Sequence, residues 1–213
     1  MDIVNVRTIV PATPAYALRA GLENDQLDPK SPLLMHATQN AASGGKDYYA
    51  ILRNEIGEPH HYLNLIDVVR SMRPIDQMDL TIISPGGYVW TGIAIINAML
   101  QSKGTITTTA SGEIASMGAF IWAYGTQLKM DPNAHVMFHM TSHADANNSS
   151  LVLDRAMCTI DYCNYLLTDI KQRGLLTDEE IAAINDARDC YLDYNTMAPR
   201  IEQYNQERRV SDV

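Results

Sequence analysis

Three short stretches carry the groups from which acyl chemistry could be built. The first is Ser84-Pro85-Gly86-Gly87. Paired glycines permit positive φ and leave amide N–H groups open. Just before a helix they suit a tight strand-to-helix turn, or donors for an anion or an oxyanion growing on a carbonyl. The second, "ASGEIASMGAF", spans residues 110–120 and crowds small residues around Ser116. Two roles are open to a serine between a strand and a helix. It can cap the helix, or it can project its Oγ as a nucleophile with the Met117 amide beside it. The third, "AHVMFHM", carries His139. A serine hydroxyl needs a base to attack anything, and His139 is either that base or a half-buried histidine with a structural hydrogen bond.

The other histidines offer less. His135, His139 and His143 are four apart, which on a helix would form a metal-ligand ladder. Val136, Phe138 and the preceding Asp131-Pro132-Asn133 turn argue instead for a strand. On a strand His135 and His139 lie about 13 Å apart, too far to share a metal. No metal and no cofactor are expected. His60 and His61 fall at a helix start, and His36 lies in the N-terminal segment.

The elements that must position these groups follow from periodicity. "YYAIL" reads as a strand, and "HYLNLIDVVRSM" as a helix with Tyr62, Leu65, Ile66, Val69 and Met72 at helical spacing, stopped by Pro74. "LTIIS" reads as a buried strand and "VWTGIAIINAMLQ" as an apolar helix. "GTITTTA" is a β-branched strand, "FIWAYG" a helix capped by Gly125, and "QLKM" and "AHVMFHM" are strands. Strand and helix alternate three times, which predicts an α/β fold of βαβ units. Residues 149–173 read as one long helix. Its seam of Leu153, Ala156, Ile160, Cys163, Leu167 and Ile170 would pack either on its own domain or against another subunit. Residues 1–46, with Pro11, Pro14, Pro29, Pro32 and then "QNAASGGKD", read as an N-terminal extension, leaving 47–213 as a single domain.

Composition bounds the function classes. The chain has 213 residues, 46% hydrophobic and 19% charged, and so suits one globular domain. A net charge of −9 argues against nucleic acid as a partner. Cys158, Cys163 and Cys190, an odd and widely spaced set, predict neither a disulfide framework nor a zinc site and point to a cytoplasmic setting. The N-terminus lacks a secretory pattern, and "MGAFIWAYG" is too short to span a membrane.

Taken together, "SPGG", "GEIASMGAF" and "PNAHVMFHM", in that order and spacing, resemble the proteolytic subunit of the Clp peptidase family, over roughly residues 48–193. The resemblance implies a Clp protease/crotonase-type fold of repeated ββα units with a long protruding handle helix at about 149–173. It implies a serine endopeptidase with Ser116 as nucleophile, His139 as general base, and the amides of Gly86 and Met117 as oxyanion hole. Its implied partners are unfolded polypeptide or peptide substrates, further copies of the chain in a ring or two stacked rings, and an AAA+ unfoldase if the reaction is ATP-dependent.

The sequence departs from the family pattern in places. Aligning Arg188-Asp189 with the family's Arg-Asp pair puts Asn185 at the triad-acid position, and a one-residue shift restores Asp186. A carboxylate stabilises an imidazolium better than an amide, so Asp186 is expected as the acid and Asn185 as the alternative. The Gly-rich strand after the histidine and the usual C-terminal pattern are absent. These losses leave a second reading, a weakened or non-catalytic ring or assembly subunit. A distant third is a crotonase-like acyl-CoA enzyme, which shares the paired-amide oxyanion hole.

Overall fold

The computed structural model describes residues 31–140 and 150–211. In chain order, strands β1 (Leu33–Gln39) and β2 (Lys46–Arg53) lead into helix α1 (Leu63–Ser71) and strand β3 (Gln77–Ile83). Helix α2 (Val89–Gln101), strand β4 (Thr105–Ala110), the three-residue strand β5 (Glu113–Ala115) and helix α3 (Met117–Ala123) follow. The chain continues through β6 (Gln127–Met130), β7 (His135–Phe138), α4 (Ser150–Gln172), α5 (Asp178–Asn185), β8 (Cys190–Asp193) and α6 (Tyr194–Ser211). Two sheets result, one of five strands ordered β1-β2-β3-β4-β6 and one of three ordered β5-β7-β8.

The alternating pattern read from the sequence becomes parallel pairing of β2 with β3, β3 with β4, and β4 with β6. Met78, Leu80 and Ile82 of β3, with Ile106 and Ala110 of β4, turn one face of the sheet to the core. Helix α2 buries Thr91, Gly92, Ile93, Ile95, Ile96, Ala98 and Met99, so it is apolar nearly all round. All of α3 is buried, Trp122 and Phe120 among the largest core side chains. A buried aliphatic or aromatic side chain contributes roughly 1.5–3 kcal/mol, and that core is the platform for the chemistry.

The structure corrects the sequence reading in two places. Residues 33–46 are not an extension. "QNAASGGKD" is a hairpin turn in which Asn40 Oδ1 accepts from the Ala42 and Ser43 amides, and it returns β1 antiparallel to β2. Residues 1–30 lie outside the described residues. Gly125 follows the C-cap residue Tyr124 but is not left-handed, so it makes no glycine cap for α3. Gly125 is small for another reason. A Cβ there would stand 2.2 Å from Thr108 Oγ1, the group that donates to Trp122 O at 2.7 Å.

The long helix forms as α4. Cys163, Leu166, Leu167 and Ile170 are buried against the chain's own core, while Met157 and Tyr165 face out. The C-terminal half of the seam is therefore intramolecular, and Leu153 falls among side chains outside the described residues.

Candidate active site

Ser116 stands between β5 and α3 at φ 53°, ψ −130°, and its side chain makes no cap hydrogen bond to the helix. The N-cap reading thus fails. Positive φ in a non-glycine residue stores on the order of 1–3 kcal/mol and persists only where the surroundings impose it. Here the Ser116 amide donates to Met137 O on β7 at 2.9 Å, and its carbonyl accepts from the Phe120 amide at 3.1 Å. Both backbone groups are pinned, so Oγ alone is left to project from the turn.

Small residues around Ser116 let two backbones touch. A Cβ on Gly86, whose φ is +99°, would meet Ser116 Cβ at 2.6 Å and Met117 N at 2.9 Å. A Cβ on Gly118 would stand 2.7 Å from Ser84 O, which already accepts from the Ala115 amide at 2.9 Å. The Met117 side chain turns back into a notch at Gly92, where any Cβ would sit 2.1 Å from its Cγ. The Met117 N–H is the first of its helix and has no acceptor within it. It is left beside Ser116.

The two glycines of "SPGG" differ. The Gly86 N–H donates to the buried Ser84 Oγ at 3.2 Å, and Ser84 Oγ donates to Asn54 O at 2.6 Å. Gly86 O accepts from the Ile56 amide at 2.7 Å, and Ile56 O accepts from Tyr88 at 2.7 Å. Gly87, at φ +143°, makes an isolated parallel bridge with Ile56. Among the described residues no acceptor takes the Gly87 N–H. The Gly86 amide, expected as an oxyanion donor, is thus engaged by Ser84 Oγ, although Gly86 is the glycine that lies against Ser116 and Met117.

Strand register brings in the histidine. β5 and β7 run parallel, with Ala115 opposite Met137, so Ser116 and His139 leave neighbouring strands at the same end. β7 and β8 run antiparallel, pairing His135 with Asp193 and Phe138 with Cys190. One step further sets His139 opposite Asp189. The side chains meet accordingly, with Nδ1 of His139 and Oδ1 of Asp189 at 3.7 Å and 26% and 51% exposed. That exceeds hydrogen-bond length.

The carboxylate beside the histidine is Asp189, where the sequence reading named Asp186 or Asn185. Asp186 is the C-cap residue of α5, turned outward onto Arg188 at 3.4 Å. Asn185 borders a separate pocket of about 360 Å³ shared with Met140, Ile160, Asn164, Leu167, Thr168 and Ile181. Asp189 was visible in the sequence as the residue two before an aromatic, but only the β7–β8 register sets it against His139. His135 sits at the far end of β7, and His143 lies outside the described residues.

A strained serine at a strand-to-helix turn and a histidine–carboxylate pair at the end of the next strand thus lie on one α/β fold. Residues 53–195 match the Clp protease family, and the chain belongs to that family of peptidases.

Proposed function

We propose that this chain is a serine endopeptidase that cleaves polypeptides by acyl transfer. The observation that carries the reading is Ser116 at φ 53° with no cap bond, at the start of the helix whose first amide is that of Met117. Ser116 Oγ adds to the peptide carbonyl while His139 Nε2 takes its proton. Asp189 faces Nδ1, selects the tautomer with the proton there, and stabilises the imidazolium that forms. The carbonyl oxygen becomes an oxyanion held by the Met117 N–H and by an N–H of the Gly86-Gly87 pair, each donor being worth on the order of 3 kcal/mol. His139 then returns its proton to the leaving amine as the C–N bond breaks. Water, deprotonated by the same imidazole, hydrolyses the acyl-enzyme.

The substrates are unfolded polypeptides or peptides, and the working form is an oligomeric ring that encloses the sites, fed by an AAA+ unfoldase where the substrate is folded. A fluorophosphonate probe is expected to label the intact protein and to leave Ser116→Ala unlabelled. Equal labelling of both, or no hydrolysis of casein by unlabelled wild type, removes the endopeptidase reading and leaves a non-catalytic ring subunit.

A further inference from the structure

Among the described residues, the side chain of Asp189 has a single partner, the His139 ring at 3.7 Å, and half of that side chain is exposed. Its placement must therefore come from the backbone that delivers it. That backbone is unusually well tied.

Asp189 follows a turn joined directly to the end of α5. The Ala187 amide donates to Ile184 O and the Arg188 amide to Ala183 O, each at 3.0 Å. Ala187 is left-handed at φ 59°. This is a Schellman cap with alanine where glycine is usual. The direction in which the chain leaves toward Asp189 is thus inherited from the orientation of α5.

The orientation of α5 is in turn held at its other end. Thr177 and Glu180 form a reciprocal capping box, with the Thr177 amide donating to Glu180 Oε2 at 2.8 Å. The same carboxylate receives a bidentate fork from Arg200 of α6, Nη1 to Oε2 at 2.8 Å and Nη2 to Oε1 at 2.9 Å. Arg200 Nη1 also donates to Leu175 O at 3.0 Å. Paired donors on one carboxylate fix angle as well as distance. Because β8 runs directly into α6, the chain from Glu180 through Asp189 to Arg200 closes on itself through this fork.

We propose that the Glu180–Arg200 fork is a positioning pair for the catalytic acid, holding α5 and its Schellman turn so that Asp189 faces His139. The proposal rests on the peptidase reading for its kinetic arm and on geometry alone for its spectroscopic arm. Neither residue touches substrate. With the fork broken, α5 pivots and the carboxylate, unanchored by any bond of its own, leaves the imidazole.

The test compares Arg200→Met, Glu180→Gln and the conservative Arg200→Lys in the full chain, each alone and combined with Asp189→Asn. In Arg200→Met the expected result is a fall of about tenfold in kcat with KM unchanged, and partial recovery in Arg200→Lys. In the Asp189→Asn background the same substitution is expected to cost nothing more, because the acid it positions is gone. Imidazole resonances of His139, followed by NMR, are expected to move in Arg200→Met in the same direction as in Asp189→Asn. Independent, multiplicative losses in the double variant, or unmoved His139 resonances in a folded variant, would overturn the proposal. If Arg200→Met does not fold, Glu180→Gln and Arg200→Lys decide by the same two readouts. A wild type that fails to react with fluorophosphonate strikes the peptidase reading, while the resonance shifts still judge the fork.

Discussion

Ser116 at φ 53° departs from what its amino-acid type prefers, and the surrounding bonds show what enforces it. Met137 O holds its amide, the Phe120 amide holds its carbonyl, and Gly86 leaves empty the space that any side chain would contest. Gly86→Ala is therefore expected to be more damaging than a loop substitution, since its Cβ would lie 2.6 Å from Ser116 Cβ in a backbone already at positive φ. Thermal melts and probe labelling should both fall, and a variant as stable and as reactive as wild type would contradict the packing described. The same scale separates the two nearby aspartates. Asp189→Asn is expected to lower kcat by about 10²–10⁴-fold with little change in fold. Asp186→Asn, whose side chain is 71% exposed and turned to Arg188, is expected to stay within about twofold of wild type. Steady-state kinetics on a fluorogenic peptide distinguishes them, and the reverse order would return the triad role to Asp186.

At the level of elements, polar side chains finish what the sheets leave open. β6 is an edge strand, and Asn205 of α6 completes it as a partner strand would. Its Oδ1 accepts from the Leu128 amide and its Nδ2 donates to Leu128 O, both at 2.9 Å. Asn205→Leu strands a backbone donor and acceptor next to a buried residue, and is expected to destabilise by about 1–3 kcal/mol in urea unfolding. Asp76 plays a similar part between β2 and β3. Its buried carboxylate accepts from the Lys46 and Arg73 amides, both at 2.8 Å, and from the Arg73 guanidinium. The guanidinium hydrogen bonds hold its carboxyl well below the usual carboxylate range, against the opposing effect of burial. A depressed native pKa stabilises the fold above the unfolded value of about 4, and that gain is lost as pH falls below it. Asp76→Asn should thus lower Tm by several degrees at pH 7, with the gap to wild type closing below about pH 4 in parallel melts. A constant gap across that range would assign the effect to packing instead. Much of this layer was legible in the sequence. α2 begins and ends where its apolar run does, and β-branched and aliphatic runs became β3 and β4. What was hidden depends on partners remote in sequence. β5 is three residues long and is defined only by pairing with β7. β1 hid behind a glycine-rich turn that resembles a linker until its two strands are seen to pair. Asp189 escaped because the register of β7 on β8, not spacing along the chain, decides which aspartate meets His139.

At the scale of the whole molecule, the outer face of α4 is the feature that one chain leaves unfinished. Trp90 at the start of α2 stands 6.1 Å from Tyr162, and Tyr162 stands 6.0 Å from Tyr165, ring centre to ring centre. Trp90 is 54% exposed and Tyr165 65% exposed, and Met157 continues the surface along the helix. A hollow of about 730 Å³ lies between Met157, Cys158, Asp161, Tyr162 and Tyr165. Single subunits rarely leave contiguous apolar ground of this kind open to water unless something covers it. A net charge of −9 opposes the approach of copies, so in the proposed ring this apolar surface would supply the attraction. Placing a carboxylate in it turns that attraction into an unpaired buried charge on assembly, which costs far more than removal of the ring itself. Light scattering of wild type is expected to give a multiple of 23.7 kDa. Tyr165→Glu is expected to shift that mass toward the single chain, with far-UV circular dichroism unchanged because the Tyr165 side chain is mostly exposed. A wild type that stays at the single-chain mass at working concentration would contradict the ring reading. A Tyr165→Glu variant that assembles as wild type does would place the subunit contact on another face.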